Sequence, residues 1–237
     1  LISRLRLFPL NTVLFPGATL RLHVFEPRYK QMIAECLDEG REFGVCLLRK
    51  GSETGDSFVD PHDIGTTAEI GGVTPLPFGR YYISTVGRRR FRIREIVQRE
   101  PYLLCDVEYL EEDVAPQDEL DALMESVRSA FNEYVHLLMA YSGHAVAFDL
   151  SPDPVEASYA VGSALQIADV LKQRLLETDD TGGRLRVELE LLRRLLPKLR
   201  SLRERRGSAP ATSSSEPLGG ESRAEQERIF GKFFSVN

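Results

Sequence analysis

The amino-acid sequence predicts an α+β fold: a small β-barrel with one inserted helix, followed by a run of helices. Two observations predict it. Up to Tyr109 the apolar residues come in short runs with a period near two, broken by glycine and proline. From Pro116 onward they recur with a helical period. The change falls at Glu111-Glu112-Asp113. It divides the chain into a β-rich barrel subdomain over residues 1–113 and a helical subdomain over 114–206, with a tail over 207–237.

The elements follow in order. Pro16-Gly17 sets a tight turn. Leu20, Leu22 and Val24 then alternate with Arg21 and His23, giving a strand one apolar and one polar face. Phe25 reads as a hydrophobic anchor before a helix that opens at Glu26-Pro27, because proline is tolerated in a first helical turn. Tyr29, Met32, Ile33, Cys36 and Leu37 continue that helix at helical spacing, and Gly40 ends it. Phe43 to Leu48 is a short buried strand, and the polar stretch Gly51 to Asp63 is a loop. Thr66 to Ile70, Arg80 to Val86, Phe91 to Ile96 and Leu103 to Tyr109 are further strands; Gly87 is free to adopt backbone angles that other residues resist. Several such strands with one helix among them predict a closed or nearly closed barrel.

In the second half, Leu120, Leu123, Met124, Val127, Phe131, Tyr134, Val135 and Leu138 form one apolar stripe, and Gly143 stops that helix. Asp153 is placed to cap the next helix, with Pro154 at its first position. The pattern carries this helix from Ala157 to Leu171, with a short helix from Leu171 to Thr178 and a break at Gly182-Gly183. Leu185, Leu189, Leu192, Leu196 and Leu199 mark a final helix that Pro197 kinks or ends. Gly207 to Gln226 has little to bury and is expected to be disordered. Ile229, Phe230, Phe233 and Phe234 then form a small apolar cluster.

Composition narrows the function classes. A net charge of −6 disfavours non-specific nucleic-acid binding as the main role. Three cysteines without paired spacing are not a secreted disulfide framework, so a reducing cytoplasm is expected. No apolar run approaches the ~20 residues that span a bilayer, so no membrane partner is expected. The stretch Leu1 to Leu10 carries Arg4 and Arg6 and does not resemble a secretory leader.

The sequence contains no phosphate-binding loop, no dinucleotide fingerprint, no zinc-protease motif and no nucleophile elbow. Cys36, Cys46 and Cys105 fall in apolar runs and read as buried, inert thiols. His23, His62, His136 and His144 are scattered, without ligand spacing. Ser142, His144 and Asp149 lie close in sequence, but a helix-ending loop does not promise the geometry of a nucleophilic triad. No catalytic residue, cofactor or metal site is therefore expected. Two segments invite a binding role. In Arg88-Arg89-Arg90-Phe91-Arg92-Ile93-Arg94, Phe91 and Ile93 point into the barrel while Arg90, Arg92 and Arg94 point out. That face is either a solvated surface neutralised by Glu95, Glu108 and other carboxylates, or a contact for an anion, a nucleic acid or a protein. In the loop from Pro75 to Tyr82, Leu76, Phe78 and Tyr81 either fill the core around a tight turn or form one edge of a polypeptide-binding surface near the junction of barrel and helices.

Several segments together resemble the N-terminal, substrate-binding domain of Lon proteases. Leu7-Phe8-Pro9-Leu10-Asn11-Thr12-Val13-Leu14-Phe15-Pro16-Gly17 is similar to that domain's opening motif. Leu22-His23-Val24-Phe25-Glu26-Pro27-Arg28-Tyr29 is similar to the segment that follows. Phe43-Gly44-Val45, Ile64-Gly65-Thr66, Gly87 to Ile93, Pro101-Tyr102-Leu103, Asp153-Pro154, Lys172 to Glu177 and Arg184-Leu185 occur in the family's order. The resemblance spans roughly residues 5 to 203. It implies a PUA-like barrel followed by a helical subdomain, in a region that in Lon helps to bind protein substrates and assemble the ring. The ATPase and Ser-Lys peptidase motifs that follow in Lon are not present, so no Lon catalytic residue carries over to this sequence. The expectation is a stand-alone, non-catalytic polypeptide-binding or adaptor module whose partner is unfolded or extended polypeptide, or a folded protein. The alternative is an RNA-binding PUA-like module using Arg88 to Arg94, and a third reading is a hydrolase with a scattered site. The oligomeric state stays open.

The tail carries too little apolar surface to offset ordering costs of ~1–2 kcal/mol per residue. Truncation after Arg206 is expected to shift the melting temperature by less than about 2 °C in a thermal melt; a drop of many degrees would mean that Phe230, Phe233 and Phe234 dock on the domain.

Overall fold

Alternating apolar residues in the first half build strands, and a computed structural model shows how they pair; it describes residues 2–51, 59–114, 117–142 and 149–207. The strands are β1 (Ile2–Leu10), β2 (Thr19–Val24), β3 (Phe43–Lys50), β4 (Asp60–Pro61), β5 (Ile64–Leu76), β6 (Arg80–Gln98) and β7 (Leu103–Tyr109). Helix α1 (Pro27–Glu39) is inserted between β2 and β3, and α2 (Gln117–Ser142), α3 (Pro154–Ala164), α4 (Asp169–Glu177) and α5 (Thr181–Gly207) follow β7. Among the described residues no helix is long and apolar enough to cross a bilayer.

The sheet closes on itself. Its order is β1-β7-β6-β5-β3, and β1 also pairs in parallel with β3, Leu7 opposite Gly44 through Leu10 opposite Leu47. The result is a ring of five strands with Leu5, Leu7, Cys46, Phe91, Leu103, Cys105 and Val107 packed together as one buried cluster. Closure leaves none of these five strands with two free edges, which removes most of the template for unwanted strand pairing. A second cluster packs α1 against the sheet through Tyr29, Met32, Ile33 and Cys36, which meet Phe8, Val24, Phe43, Val45 and Ile83. Phe8 and Tyr29 stack with ring centroids 3.9 Å apart. A third cluster belongs to α2–α5, and Phe15 and Ile64 from the strand half enter it.

The first helix is built as its sequence predicts. Pro27 occupies the first turn and Gly40 closes the helix in the left-handed region at φ 62°. Asp153 caps α3, accepting from the amides of Val155 and Glu156. All three described thiols are buried and free. Burial raises the Cys36 thiol to about 11 and the Cys105 thiol to about 12.

Several elements differ from the sequence expectation, among them β5, which runs on from the expected end at Ile70 to Leu76. The strands predicted at Arg80–Val86 and Phe91–Ile96 are one strand of 19 residues. Gly87 joins them, because a Cβ there would collide with the Phe15 carbonyl, while its own amide and carbonyl bond to Ala18 and Gly17. Asp60 and Pro61, inside the predicted loop, form a short strand on β3; residues 52–58 of that loop lie outside the described residues. The predicted helix through Leu171 ends at Ala164, since the Tyr134 hydroxyl accepts the Gln166 amide at 2.9 Å. Gly182-Gly183 is the first turn of α5 and no break: their amides donate to the Asp180 carboxylate at 3.0 and 2.8 Å. Pro197 sits inside α5, which continues to Gly207. The predicted stop at Gly143, residue His144, and the tail with Ile229, Phe230, Phe233 and Phe234 lie outside the described residues.

Glu188 is fully buried in the helical core, one oxygen accepting from the Ser158 hydroxyl at 3.1 Å and the other without a partner among the described residues. Burial pushes its carboxyl well above the usual carboxylate range, against the opposing influence of Arg184 and Ser158. A raised folded-state value gives stability that is present at acid pH and lost as pH rises through it. Glu188→Gln, which cannot ionise, is expected to gain in melting temperature over the parent progressively from pH 4 to pH 8. A difference that stays constant over this range would show that Glu188 is not held protonated.

Candidate functional site

The arginine run does not form a common solvated face. Arg88 pairs with Glu69 and Arg94 with Glu108. Arg89 lies over the Tyr109 ring, 3.8 Å from its centroid, and Arg92 approaches Asp179 at 3.8 Å. Arg90 departs most from expectation, because it points out of the ring but not into solvent, and only 2% of it is exposed. The chain after β7 and the connection from α4 to α5 cover it there. Its Nε donates to Glu112 at 2.8 Å; one terminal nitrogen donates to the Leu176 and Thr178 carbonyls and to Asp179 at 2.8, 3.1 and 3.0 Å.

Glu112 binds a second buried guanidinium from the helical side. Arg184 donates to it at 3.0 Å, to the Thr178 carbonyl at 2.7 Å and to Ser158 at 2.6 Å, with its guanidinium 4.1 Å from the Tyr159 ring centroid. The Tyr159 hydroxyl also donates to Glu112. Burial pushes the Glu112 carboxyl up, but the Tyr159 hydroxyl and the guanidiniums of Arg184 and Arg90 outweigh it and hold the carboxyl below the usual range. Each ionised group has its opposite in bonding distance, so the cluster is a structural joint. Among the described residues, no three His, Cys, Asp or Glu side chains come together in a way that would hold a metal ion.

The junction of barrel and helices, where the sequence places a binding surface, is filled by this ionic cluster, and exposed aromatic surface lies away from it. β5 and β6 continue past the ring, pairing from Ile70 opposite Thr85 to Leu76 opposite Arg80, and β2 pairs along β6 from Thr19 opposite Val86 to Val24 opposite Tyr81. These segments form a three-stranded arm. Its tip is a 3-10 turn, Pro77–Gly79, in which Phe78 adopts φ 65° and ψ 29°. An aromatic residue in that region costs about 1–2 kcal/mol. Lys30 Nζ donates to the Phe78 carbonyl at 3.2 Å, and Arg80 Nε donates to the Pro77 carbonyl at 3.0 Å. This strained turn holds the Phe78 ring out with 88% of its surface exposed.

Of the three residues expected to form a binding edge, then, Phe78 is exposed, Leu76 is half-buried and Tyr81 packs partly against the core beneath α1. The arm's other face carries residues to which the sequence gives no binding role. His23 stands opposite Tyr82 with ring centroids 4.8 Å apart, and Phe25 lies 5.4 Å from His23. Phe25 is 47% and Tyr82 52% exposed. Phe25 is thus no anchor in the core. The signal for this row was the alternation of Arg21 and His23 against Leu22 and Val24; only the register shows that Tyr82 stands beside His23. By the same register the row continues through Thr74, Ser84 and Arg21, with no carboxylate among them. Arg21 has no carboxylate partner among the described residues.

Comparison with known proteins bears on this geometry. The family model of the ATP-dependent protease La (LON) substrate-binding domain matches residues 4–194. A protein named Lon protease 2 of Syntrophobacter fumaroxidans is 29% identical over 216 residues, covering 86% of this chain and 27% of that protein. A Lon protease 2 of Myxococcus xanthus is 28% identical, covering 78% of this chain and 22% of its own length. The chain thus spans about a quarter of the length of these curated relatives. A crystal structure of a Lon N-terminal domain protein from Xanthomonas campestris is 27% identical with a TM-score of 0.60, covering 79% of this chain and 98% of that one. The N-terminal domain of a Mycobacterium avium complex Lon protease, at 18% identity and TM-score 0.59, shares the fold over 80% of this chain and 98% of its own.

Removing one member of a buried ion pair strands the others without compensation. Arg90→Ala is expected to cost about 3–5 kcal/mol in urea unfolding, whereas Arg88→Ala or Arg94→Ala, at exposed pairs, is expected to change stability by under about 1 kcal/mol. Equal effects at all three positions would remove Arg90 from its structural role.

Proposed function

The chain belongs to the Lon substrate-binding domain family, and from that premise we propose that it is a non-catalytic polypeptide-binding or adaptor module. It takes unfolded or extended protein segments on the arm formed by β5, β6 and β2. The observation that carries this reading is the exposed aromatic surface: Phe78 on its strained turn, with Phe25, His23 and Tyr82 on the arm's outer face. Aromatic rings contribute large contact area at low entropic cost, and they anchor sequence-tolerant binding. We read the ring of strands as a PUA-like barrel within residues 1–113 and α2–α5 as a helical subdomain within 114–206, the whole working in the cytoplasm. The sequence carries neither a phosphate-binding loop nor a Ser-Lys peptidase motif, so the proposed role is capture and not cleavage.

The RNA-binding alternative rests on Arg88 to Arg94, where Arg88, Arg90, Arg92 and Arg94 face carboxylates and Arg89 a ring. That pairing lowers the positive potential a phosphate would meet.

Titration of labelled, unfolded casein and of labelled RNA at two salt concentrations separates the readings. Casein is expected to bind with roughly micromolar affinity, about −8 kcal/mol. Phe78→Ala and Tyr82→Ala are each expected to weaken it about tenfold without changing the melting temperature, and no casein is degraded. RNA binding with a steep salt slope, in the absence of casein binding, would replace this reading with the alternative.

A further inference from the structure

The aromatic face accounts for side-chain contacts but leaves the backbone at the arm's border without a role. β2 has one strand neighbour, β6, and no described strand lies on its other side. The hydrogen-bond phase of this pair follows from one bond, Gly87 N–H to the Ala18 carbonyl at 2.9 Å. In an antiparallel pair the residues that exchange bonds alternate with residues whose amide and carbonyl point the other way. The register is unbroken from Thr19 opposite Val86 to Val24 opposite Tyr81. Leu20, Leu22 and Val24 therefore bond inward to β6, in keeping with the Thr85 hydroxyl donating to the Leu20 carbonyl at 3.1 Å. Thr19, Arg21 and His23 direct their amides and carbonyls outward. None of these three makes a backbone hydrogen bond outside the strand ladder among the described residues.

We infer that the open edge of β2 is a docking strand, to which an extended polypeptide adds by antiparallel backbone pairing with Thr19, Arg21 and His23, placing an aromatic or aliphatic side chain beside His23 and Phe25 and an acidic one beside Arg21. The inference rests on the proposed polypeptide-binding function and specifies how the chain is held. Three observations converge on that occupant. The outward groups repeat about every 6.8 Å, the spacing of alternate residues in a strand. The aromatic row lies on the face that the incoming side chains opposite His23 would share. Arg21 is exposed and has no carboxylate partner among the described residues, while Arg88 and Arg94 on the neighbouring β6, and Arg4 and Arg6 on β1, each pair with at least one carboxylate. A second copy of the chain fits less well, because antiparallel self-pairing centred on β2 sets Arg21 against Arg21, and like charges directly opposite are destabilising. Backbone pairing gives affinity without strict sequence demands, while alternate side chains tune it.

The test uses the full chain and a fluorescein-labelled nonapeptide, Thr-Asp-Thr-Phe-Thr-Asp-Thr-Phe-Thr, read by fluorescence anisotropy. When the peptide runs antiparallel to β2 with Asp and Phe on the outer face, the Asp and Phe amides point at β2 and the threonine amides point away. N-methylation of the Asp and Phe amides is expected to weaken binding about tenfold or more, and N-methylation of the threonine amides less than about twofold. Arg21→Glu, at an exposed position, is expected to weaken the same peptide about tenfold and to bind the version with Lys in place of Asp instead. Equal sensitivity to the two methylation sets, indifference to Arg21→Glu, or no binding of the peptide overturns the docking strand. If casein still binds in a Phe78-dependent manner in any of these cases, the polypeptide-binding reading survives and only the edge falls. A dimer in sedimentation that the peptide dissociates assigns the edge to a second copy and overturns the inference as well.

Discussion

The fold depends on one carboxylate. Glu112, in the connection after β7, accepts from Arg90 on the outside of the strand ring and from Arg184 at the start of α5. Around it the Asp113 amide bonds the Asp179 carbonyl and the Thr181 amide bonds the Asp113 carbonyl, so the backbones of both halves meet at the same place. Two guanidiniums out of water are expensive unless geometry is good and their remaining N–H groups are satisfied. Here the Leu176, Thr178 and Glu111 carbonyls, Ser158 and Asp179 satisfy them. The arrangement is worth less as net stability than as specification, since a rotation of the helices would leave buried charges unpaired. Apolar contacts alone, such as Phe15 tilted against Tyr159 with centroids 6.2 Å apart, tolerate more sliding.

That fixed joint assigns different work to the two ends of the long strands. At one end β6 is covered by the helical half and its Arg90 is buried. At the other, β5 and β6 leave the ring and carry β2 with them, so their outer face has no layer over it. Exposed aromatics are found where nothing covers the sheet, and ionic joints where something does. The same arginine-rich strand thus reads as scaffold along its ring portion, while the binding reading moves to its uncovered portion around Tyr82.

The stretches by which the sequence resembles Lon substrate-binding domains fall on both sides of this division: Leu22 to Tyr29 runs through His23 and Phe25 on the open arm, whereas Pro16-Gly17 and Gly87 to Ile93 sit at the turn beneath β6 and along its covered portion. Gly87 is required by the close Phe15 carbonyl, Phe91 by the ring's interior and Arg90 by Glu112. These are requirements of the fold. The aromatic surface includes Phe78, whose requirement is not packing, because its ring meets mainly solvent.

By itself the sequence determined the mixed class, the order of strands and helices, the capping of α1 by Gly40 and of α3 by Asp153, the apolar character of the three cysteines, and Phe78 as a candidate contact. Each of these is set within a few residues, by periodicity, by glycine's freedom at positive φ or by a side chain reaching its neighbour's amide. Tertiary structure decided the rest. Arg90 looks like a solvated arginine until Glu112 and Asp179 arrive from 22 and 89 positions away. The break after Ala164 needs the Tyr134 hydroxyl, 32 positions distant. Phe25 and Tyr82 join through His23 only once β2 and β6 are in register. Local rules fix how a segment is shaped, but burial, charge pairing and the grouping of side chains into a surface depend on which distant segments lie against it. Those contacts follow from the closure of the ring and from the joint at Glu112.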